Sequence, residues 1–327
     1  MAVTIAQAVD AYLDNISLSR SENTSRSYGN ALKSFLSVLE DYDLPPDNTA
    51  IQELSEDAIA WFALLLKDYS PATEQLYLTA AAGFYDFLAA ERLAEPNLPR
   101  LRLLIRQRSR KAGQRLPQFP REQIETVIEY AMKLAILPTE SQADHLRNMR
   151  DRAFLVTLAD TGLRVHEACK LRRGDLDWNE GKALIIGKGD RQAVVRFSLR
   201  AMHALRDYLK LRSQLDGGSG RQLATLPLFA RHDRGAGKKV KPITTATGRN
   251  IVAQRVREAS GEETAAQSIT PHSFRHYFVT AVLRGSGGNL KMAQELARHR
   301  NIAVTQRYAH LSDDELDRGF SEIFDQE

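Results

Sequence analysis

Apolar positions recur at helical spacing through the N-terminal part of the chain. Ile5, Val9, Tyr12, Leu13 and Ile16 share one face, and Tyr28, Leu32, Phe35, Leu36 and Leu39 share a second. Ile59, Phe62, Leu66 and Tyr69 form a third stripe, and Leu76, Ala80, Phe84, Phe87 and Leu88 a fourth. Each stripe is one side of an amphipathic helix that must bury itself against others, so the pattern predicts four helices around a shared core. Leu44-Pro-Pro-Asp-Asn separates the second from the third, while Ser70 and Pro71 offer an N-cap and a first-turn proline to the fourth. From about Glu95 to Pro120 the pattern lapses. Pro96, Pro99, Pro117 and Pro120 there predict a linker with little helix.

Helical spacing returns near Arg121 and continues through Asp151–Ala159. The period then changes to two. Leu176–Trp178, Lys182–Ile186 and Ala193–Phe197 are short β-rich runs divided by Asn179-Glu-Gly and Gly187-Lys-Gly-Asp turns, which predicts a three-stranded antiparallel sheet. Helices resume over Leu199–Leu215, near Thr247–Ala259, over Pro271–Leu283 and over Leu290–Ala297. Asp216-Gly-Gly-Ser-Gly-Arg reads as a mobile loop. The expected fold class is mainly α with a small antiparallel β-sheet. It divides into a helical domain at 1–96, a linker at 97–120 and an α+β domain at 121–327.

Composition narrows the class. The 327 residues, 43% of them hydrophobic, suffice for two ordinary cores. The chain has no apolar run of membrane-spanning length and no secretory signal at its start, and its lone Cys169 excludes an internal disulfide. A cytoplasmic protein without a membrane partner is expected. The net charge of +4 hides an asymmetry: residues 1–96 carry five basic and fifteen acidic side chains, whereas 97–121 contain eight basic ones and no acid. The basic residues are Arg100, Arg102, Arg106, Arg108, Arg110, Lys111, Arg115 and Arg121. Such a belt predicts contact with a polyanion; its plainer reading is a solubilising spacer.

Candidate chemistry is concentrated in a few segments. Thr270-Pro-His-Ser-Phe-Arg-His opens a helix with His272 in its first turn and Arg275 three residues on, pointing the same way. The helix N-terminus helps keep His272 neutral and able to take a proton. Arg164 and Glu167 share a face, so the carboxylate can orient a guanidinium fork that matches phosphate oxygens. Lys188 sits in a glycine-flanked hairpin turn, where it could donate a proton to a leaving alkoxide, and Arg191 beside it could touch phosphate. His299 and Tyr308 follow downstream. A free phenol, with a pKa of about 10, needs adjacent cations and a base to act as a nucleophile. Taken singly, each has a structural reading: a capping histidine, an i,i+3 ion pair, an exposed lysine, a buried tyrosine. His272 and His276 have the i,i+4 spacing of zinc ligands, but no companion glutamate or cysteine cluster supports a metal, and no Walker-type loop is present.

Thr161-Gly-Leu-Arg-Val-His-Glu, Ile186-Gly-Lys-Gly-Asp, Thr270-Pro-His-Ser-Phe-Arg-His and His299 with Tyr308 resemble, in order and spacing, the catalytic boxes of Xer-like and phage-integrase-like tyrosine recombinases. The four-helix unit resembles that family's SAM-like core-binding domain. The resemblance implies a site-specific DNA recombinase with no cofactor. Tyr308 would attack the scissile phosphorus to form a 3′-phosphotyrosine, Arg164 and Arg275 would grip the non-bridging oxygens, and Lys188 would protonate the departing 5′-oxygen. His272 would accept the phenolic proton, His299 would hydrogen-bond the phosphate, and Glu167 would support Arg164.

It further implies double-stranded DNA carrying a specific recombination site as partner, two domains closing around the duplex, and a homotetramer on two duplexes, with accessory proteins in some systems. Ser312–Phe324, with Leu316, Phe320 and Phe324 at every fourth position, fits a helix exchanged between protomers. Location at the nucleoid would follow. Arg26, Lys33, Arg106, Arg108, Arg110, Lys111, Arg115 and Arg191 are the expected DNA contacts. One departure stands out: Arg298 replaces the glycine usual before the third-box histidine, which places a side chain close to the phosphate. A type IB topoisomerase-like nicking and closing enzyme, or a relative that binds DNA without cutting it, remain alternatives at this point.

Overall fold

Thr4 starts the first helix by a reciprocal cap: its hydroxyl accepts the Gln7 N–H at 3.3 Å and the Gln7 side chain accepts the Thr4 N–H at 3.1 Å. In a computed structural model, residues 3–110, 121–187, 192–233, 235, 237, 239–261, 269–299 and 301–306 are described. The chain divides into two compact units, Met1–Arg115 and Leu116–Glu327.

The first unit contains α1 (Ile5–Ser19), α2 (Glu22–Asp41), α3 (Asp57–Leu65), α4 (Pro71–Ala90) and α5 (Leu98–Arg108). Ile5, Val9, Leu32, Phe35, Phe62 and Phe84 meet in its core, each contributing about 1.5–3 kcal/mol by burial. Ser70 caps α4 with Pro71 in the first turn, as its sequence predicts. Ala80, Phe84 and Leu88 of the predicted α4 stripe are buried and Phe87 packs beside them, but Leu76 departs from it. Leu78, Ala81, Tyr85 and Leu88 continue the row of Glu74 inward, while Leu76 lies off that row and is exposed.

The predicted linker is in part a fifth helix. Asn97 caps α5, and Pro99 falls in the first turn, where its missing N–H costs nothing. Leu101 is fully buried, and Leu98, Leu104 and Ile105 pack beside it. The basic belt is also partly neutralised within its own unit. Arg100 binds Glu56 at 3.1 Å and Asp57 at 2.6 Å, and Arg102 binds Asp86 at 3.2 Å.

Arg110, one of the expected DNA contacts, is held by its own unit. Its Nε meets the Glu74 carboxylate at 2.5 Å, its own N–H donates to Glu74 at 2.8 Å, and Nη2 donates to the Leu66 carbonyl at 3.1 Å. Lys67 adds a third donor group at 2.8 Å. The carboxylate of Glu74 is completely enclosed, so it needs this full set of donors. Arg26 is exposed and paired with Glu22 at 2.9 Å; Lys33, Arg106 and Arg108 are exposed and meet no acid among the described residues. Lys111 and Arg115 lie outside the described residues.

The second unit is built around α7 (Gln142–Thr161), whose side chains from Ala153 to Ala159 are all buried. Around it stand α6 (Arg121–Lys133), α9 (Leu199–Leu211) and α12 (Pro271–Gly285). The remaining helices are α8 (Val165–Lys170), α10 (Ser213–Gly217), α11 (Thr245–Ser260), α13 (Leu290–Ala297) and α14 (Ile302–Gln306). Strands β1 (Leu176–Asp177), β2 (Lys182–Ile186) and β3 (Gln192–Arg196) form the antiparallel sheet in that order. Ala183 pairs with Val195 toward the core, while Leu184 pairs with Val194 on the exposed face.

Asp216 corrects the predicted mobile loop. It belongs to α10, is buried, and binds Arg212 at 2.9 Å and Arg173 at 2.6 Å. A buried carboxylate answered by two guanidinium groups anchors the start of that glycine-rich segment.

Glu74→Gln should lower the stability of the first unit by about 2 kcal/mol at neutral pH, through loss of charge-assisted bonds. The Glu74 pKa is lowered from 4.5 to about 2: burial raises it, but the Lys67 and Arg110 hydrogen bonds outweigh that effect. The carboxylate's contribution is therefore complete above pH 4.5 and is lost as pH falls through about 2. Thermal melts of the two proteins should converge over that range, and a constant gap would contradict this assignment.

Candidate active site

Gly162 ends α7 in the left-handed conformation, at φ 59° and ψ 22°. A Cβ there would fall 2.4 Å from the Phe278 ring, so both backbone and space require glycine. The turn buries Leu163 completely and delivers Arg164 to the N-terminus of α8. Glu167 then accepts the Arg164 N–H at 2.8 Å and Nη1 at 2.9 Å. This is the orienting pair that the sequence spacing predicts. Burial works to raise the Glu167 pKa, but the Arg164 N–H, the Arg298 charge and the Arg164 guanidinium hold it below the carboxylate range. The Arg164 side chain itself remains 47% exposed. A cation held at its base and open at its tip can meet an anion.

Arg275 enters from α12, which begins with Pro271 in its first turn and a hydrogen bond from the Thr270 N–H to Ser273 Oγ at 3.1 Å. Its side chain is buried. Nη1 donates to the Gly162 carbonyl and Nη2 to the Ala297 carbonyl, which joins the ends of α7 and α13 to α12. His272 lies one turn before Arg275 and is exposed. Its ring stands 4.3 Å from that of His276, with an interplanar angle of 75°. Partial burial, then the charges of Arg275 and Arg164, push the His272 pKa down. These effects act in the same direction as the helix N-terminus invoked from sequence.

His299 follows α13, with Nδ1 2.9 Å from Thr305 Oγ1 and its carbonyl accepting from Gln294 Nε2 at 3.1 Å. Burial first, then Arg275 and Arg164, bring its pKa down to about 4. His276 falls to about 4 for similar reasons, with burial first and His272 second.

The structure therefore brings Arg164, Glu167, His272, Arg275 and His299 together from three separate helix ends. Lys188, Arg191 and Tyr308, and with them Ser312–Phe324, lie outside the described residues. Among the described residues, no group of three or more His, Cys, Asp or Glu side chains is placed to hold a metal. No helix among them is long and apolar enough to cross a membrane. Cys169 is buried, and burial raises its thiol pKa to about 12, which suits a packed side chain rather than a nucleophile.

Three contacts escape the sequence. Thr305 braces His299 across the α13–α14 turn. Asp160 accepts from Ser198 at 2.5 Å and from Arg200 Nε at 2.6 Å, which fixes the end of α7 against α9. Arg298, expected near the phosphate, turns inward and reaches Glu167 at 3.2 Å.

The chain matches the Phage integrase family over residues 121–315 and the Phage integrase, N-terminal SAM-like domain over residues 9–92. It is 31% identical over 306 residues to Tyrosine recombinase XerC of Treponema denticola, covering 90% of each chain. It is 28% identical to Tyrosine recombinase XerD of Mycobacterium tuberculosis over 317 residues, covering 93% of each. Among solved structures, XerH site-specific recombinase bound to a palindromic difH substrate has a similar fold, with TM-score 0.65 and 19% identity over 92% of this chain and 80% of that one. A lambda integrase dimer bound to a COC′ core site gives 0.63 and 17% over 94% and 78%.

His276 and His299 lie near 4 in the folded protein against 6.5 in the open chain. The unfolded chain therefore takes up protons first, and stability should fall as pH drops from 6.5 to about 4. Denaturant titrations across that range should show the fall, and His276→Gln should make it shallower. Imidazole NMR resonances of His299 that titrate near 6.5 would contradict the burial argument.

Proposed function

The chain belongs to the phage integrase family and is a tyrosine site-specific recombinase, and from that premise we propose that it cuts and rejoins duplex DNA through a 3′-phosphotyrosine on Tyr308, using neither metal nor ATP. The observation that carries this reading is the convergence of Arg164, Arg275, His272 and His299 on the Gly162 turn.

The chemistry follows from what each group can do. The Tyr308 phenolic oxygen forms a bond to the scissile phosphorus, and the bond from phosphorus to the 5′-oxygen breaks. The phenolic proton passes to His272, whose lowered pKa keeps it an unprotonated base at neutral pH. Lys188 gives a proton to the departing 5′-oxygen. Charge that builds on the non-bridging oxygens lies beside Arg164 and Arg275, where fixed cations stabilise it most. His299, braced by Thr305, adds a hydrogen bond to the same phosphate. The phosphodiester energy is kept in the tyrosyl linkage, so a second strand's 5′-hydroxyl can reverse the step without an external energy source.

Duplex DNA is the partner. Of the expected DNA contacts, Lys33, Arg106 and Arg108 are exposed and meet no acid among the described residues, which supports phosphate contacts there, so affinity should fall steeply with salt. The relatives solved with DNA support this reading. The periodic apolar positions Leu316, Phe320 and Phe324 support exchange of a C-terminal helix within a tetramer on two duplexes.

The test is incubation with a nicked suicide duplex carrying the recombination site. A denaturant-resistant protein–DNA adduct should form and should be lost in Tyr308→Phe. Arg164→Ala should slow its formation by about 10²–10³-fold while DNA affinity changes little. An adduct that persists in Tyr308→Phe would contradict the nucleophile assignment. Equal losses of binding and cleavage in Arg164→Ala would contradict the role of that cation.

A further inference from the structure

Arg298 is held in the left-handed region, at φ 58° and ψ 44°, where it ends α13. Side chains are strained there, and glycine is the residue that suits the position. Two other non-glycine residues among those described share a positive φ, Asp43 and Arg92, and both are exposed. Arg298 differs because its side chain is only 11% exposed. Its Nη2 lies 3.2 Å from Glu167 Oε2 and 3.4 Å from the Gly162 carbonyl oxygen, and Nη1 lies 3.5 Å from the Leu296 carbonyl. Its Nε is buried and meets no hydrogen-bond acceptor among the described residues. This is a guanidinium enclosed against one carboxylate and two carbonyls.

We propose that Arg298 is a positioning residue for strand cleavage, which fixes the Glu167 carboxylate and through it the Arg164 fork; this rests on the role given to Arg164 above. The two carboxylate oxygens divide the work. Oε1 receives the Arg164 Nη1 at 2.9 Å, and Oε2 receives both the Arg164 N–H at 2.8 Å and Arg298 Nη2 at 3.2 Å. With Oε2 held from both sides, rotation of the carboxylate would break two bonds, so the plane that aims Arg164 is set. The same guanidinium also approaches the Gly162 carbonyl that Arg275 binds, so the turn before Arg164 is tied to the end of α13 by two arginines. Arg298 reaches the reacting phosphate only indirectly. In a chain with glycine at this position, Oε2 would keep only the Arg164 N–H.

Glycine is also the informative substitution, because it removes the guanidinium while relieving the backbone. Single-turnover cleavage of the nicked suicide duplex is measured for the parent protein, Arg298→Gly, Arg298→Lys, Glu167→Gln and the double variant Arg298→Gly/Glu167→Gln. Thermal midpoint and DNA affinity are measured alongside. Arg298→Gly should slow cleavage by roughly tenfold, with DNA affinity and thermal midpoint near those of the parent. Arg298→Lys should recover part of the rate. The double variant should cleave no more slowly than Glu167→Gln, since both changes act through one carboxylate.

Parental cleavage rates in Arg298→Gly would overturn the proposal, as would a double variant whose loss is the product of the two single losses. A loss of DNA affinity equal to the loss of rate would overturn it too. A parent protein that forms no adduct would instead overturn the recombinase mechanism, and this role with it.

Discussion

The end of the second unit that carries the candidate site depends on one buried guanidinium. Arg275 donates to the carbonyls that close α7 and α13, Gly162 and Ala297, and is itself rooted in α12. A cation enclosed at 3% exposure needs acceptors in fixed places, and those carbonyls need donors because the helices ending there leave them unpaired. Each satisfies the other. The result is a rigid junction of three elements distant in sequence, from which Arg164, His272 and His299 project. Gly162 makes the junction possible, since its positive φ turns the chain and its missing Cβ leaves room for Phe278. The histidines' low pKa values follow from the same arrangement: burial and neighbouring arginines both favour neutral imidazole.

Charge in the first unit is organised differently from its sequence totals. The acidic excess of residues 1–96 and the basic run beyond it are partners as much as opposites. Glu56, Asp57, Glu74 and Asp86 receive Arg100, Arg102 and Arg110, which fastens α5 and the residues after it to the helices before them. Arg106 and Arg108 in that run are exposed and meet no acid among the described residues.

Much of this was legible in the sequence because it is set by local spacing. The strand over Lys182–Ile186 follows from its β-rich run between turns, and i,i+3 spacing placed Glu167 on Arg164, whereas which of the four apolar residues Ala183–Ile186 face inward came only from the structure. The prolines around α5 misled because position decides what proline does: Pro99 begins a helix that it would break three residues later. The partners of Arg110 and Asp216 were hidden because they lie far away in the chain or on a turn whose geometry composition does not reveal. Arg298 was visible as a departure from the family's glycine. Its direction was not, since whether a left-handed arginine faces solvent or a carboxylate depends on the packing around Gly162.

In the proposed mechanism these cations form a cradle for one negatively charged phosphodiester. It is tested most directly by comparing wild-type protein and Arg164→Ala on two suicide substrates, one with an ordinary scissile phosphate and one with an uncharged methylphosphonate at the same linkage. If the guanidinium acts by neutralising charge, the variant's deficit on phosphate should shrink to within about tenfold on the neutral linkage, because no anion remains to be stabilised. An equal deficit on both substrates would contradict the account.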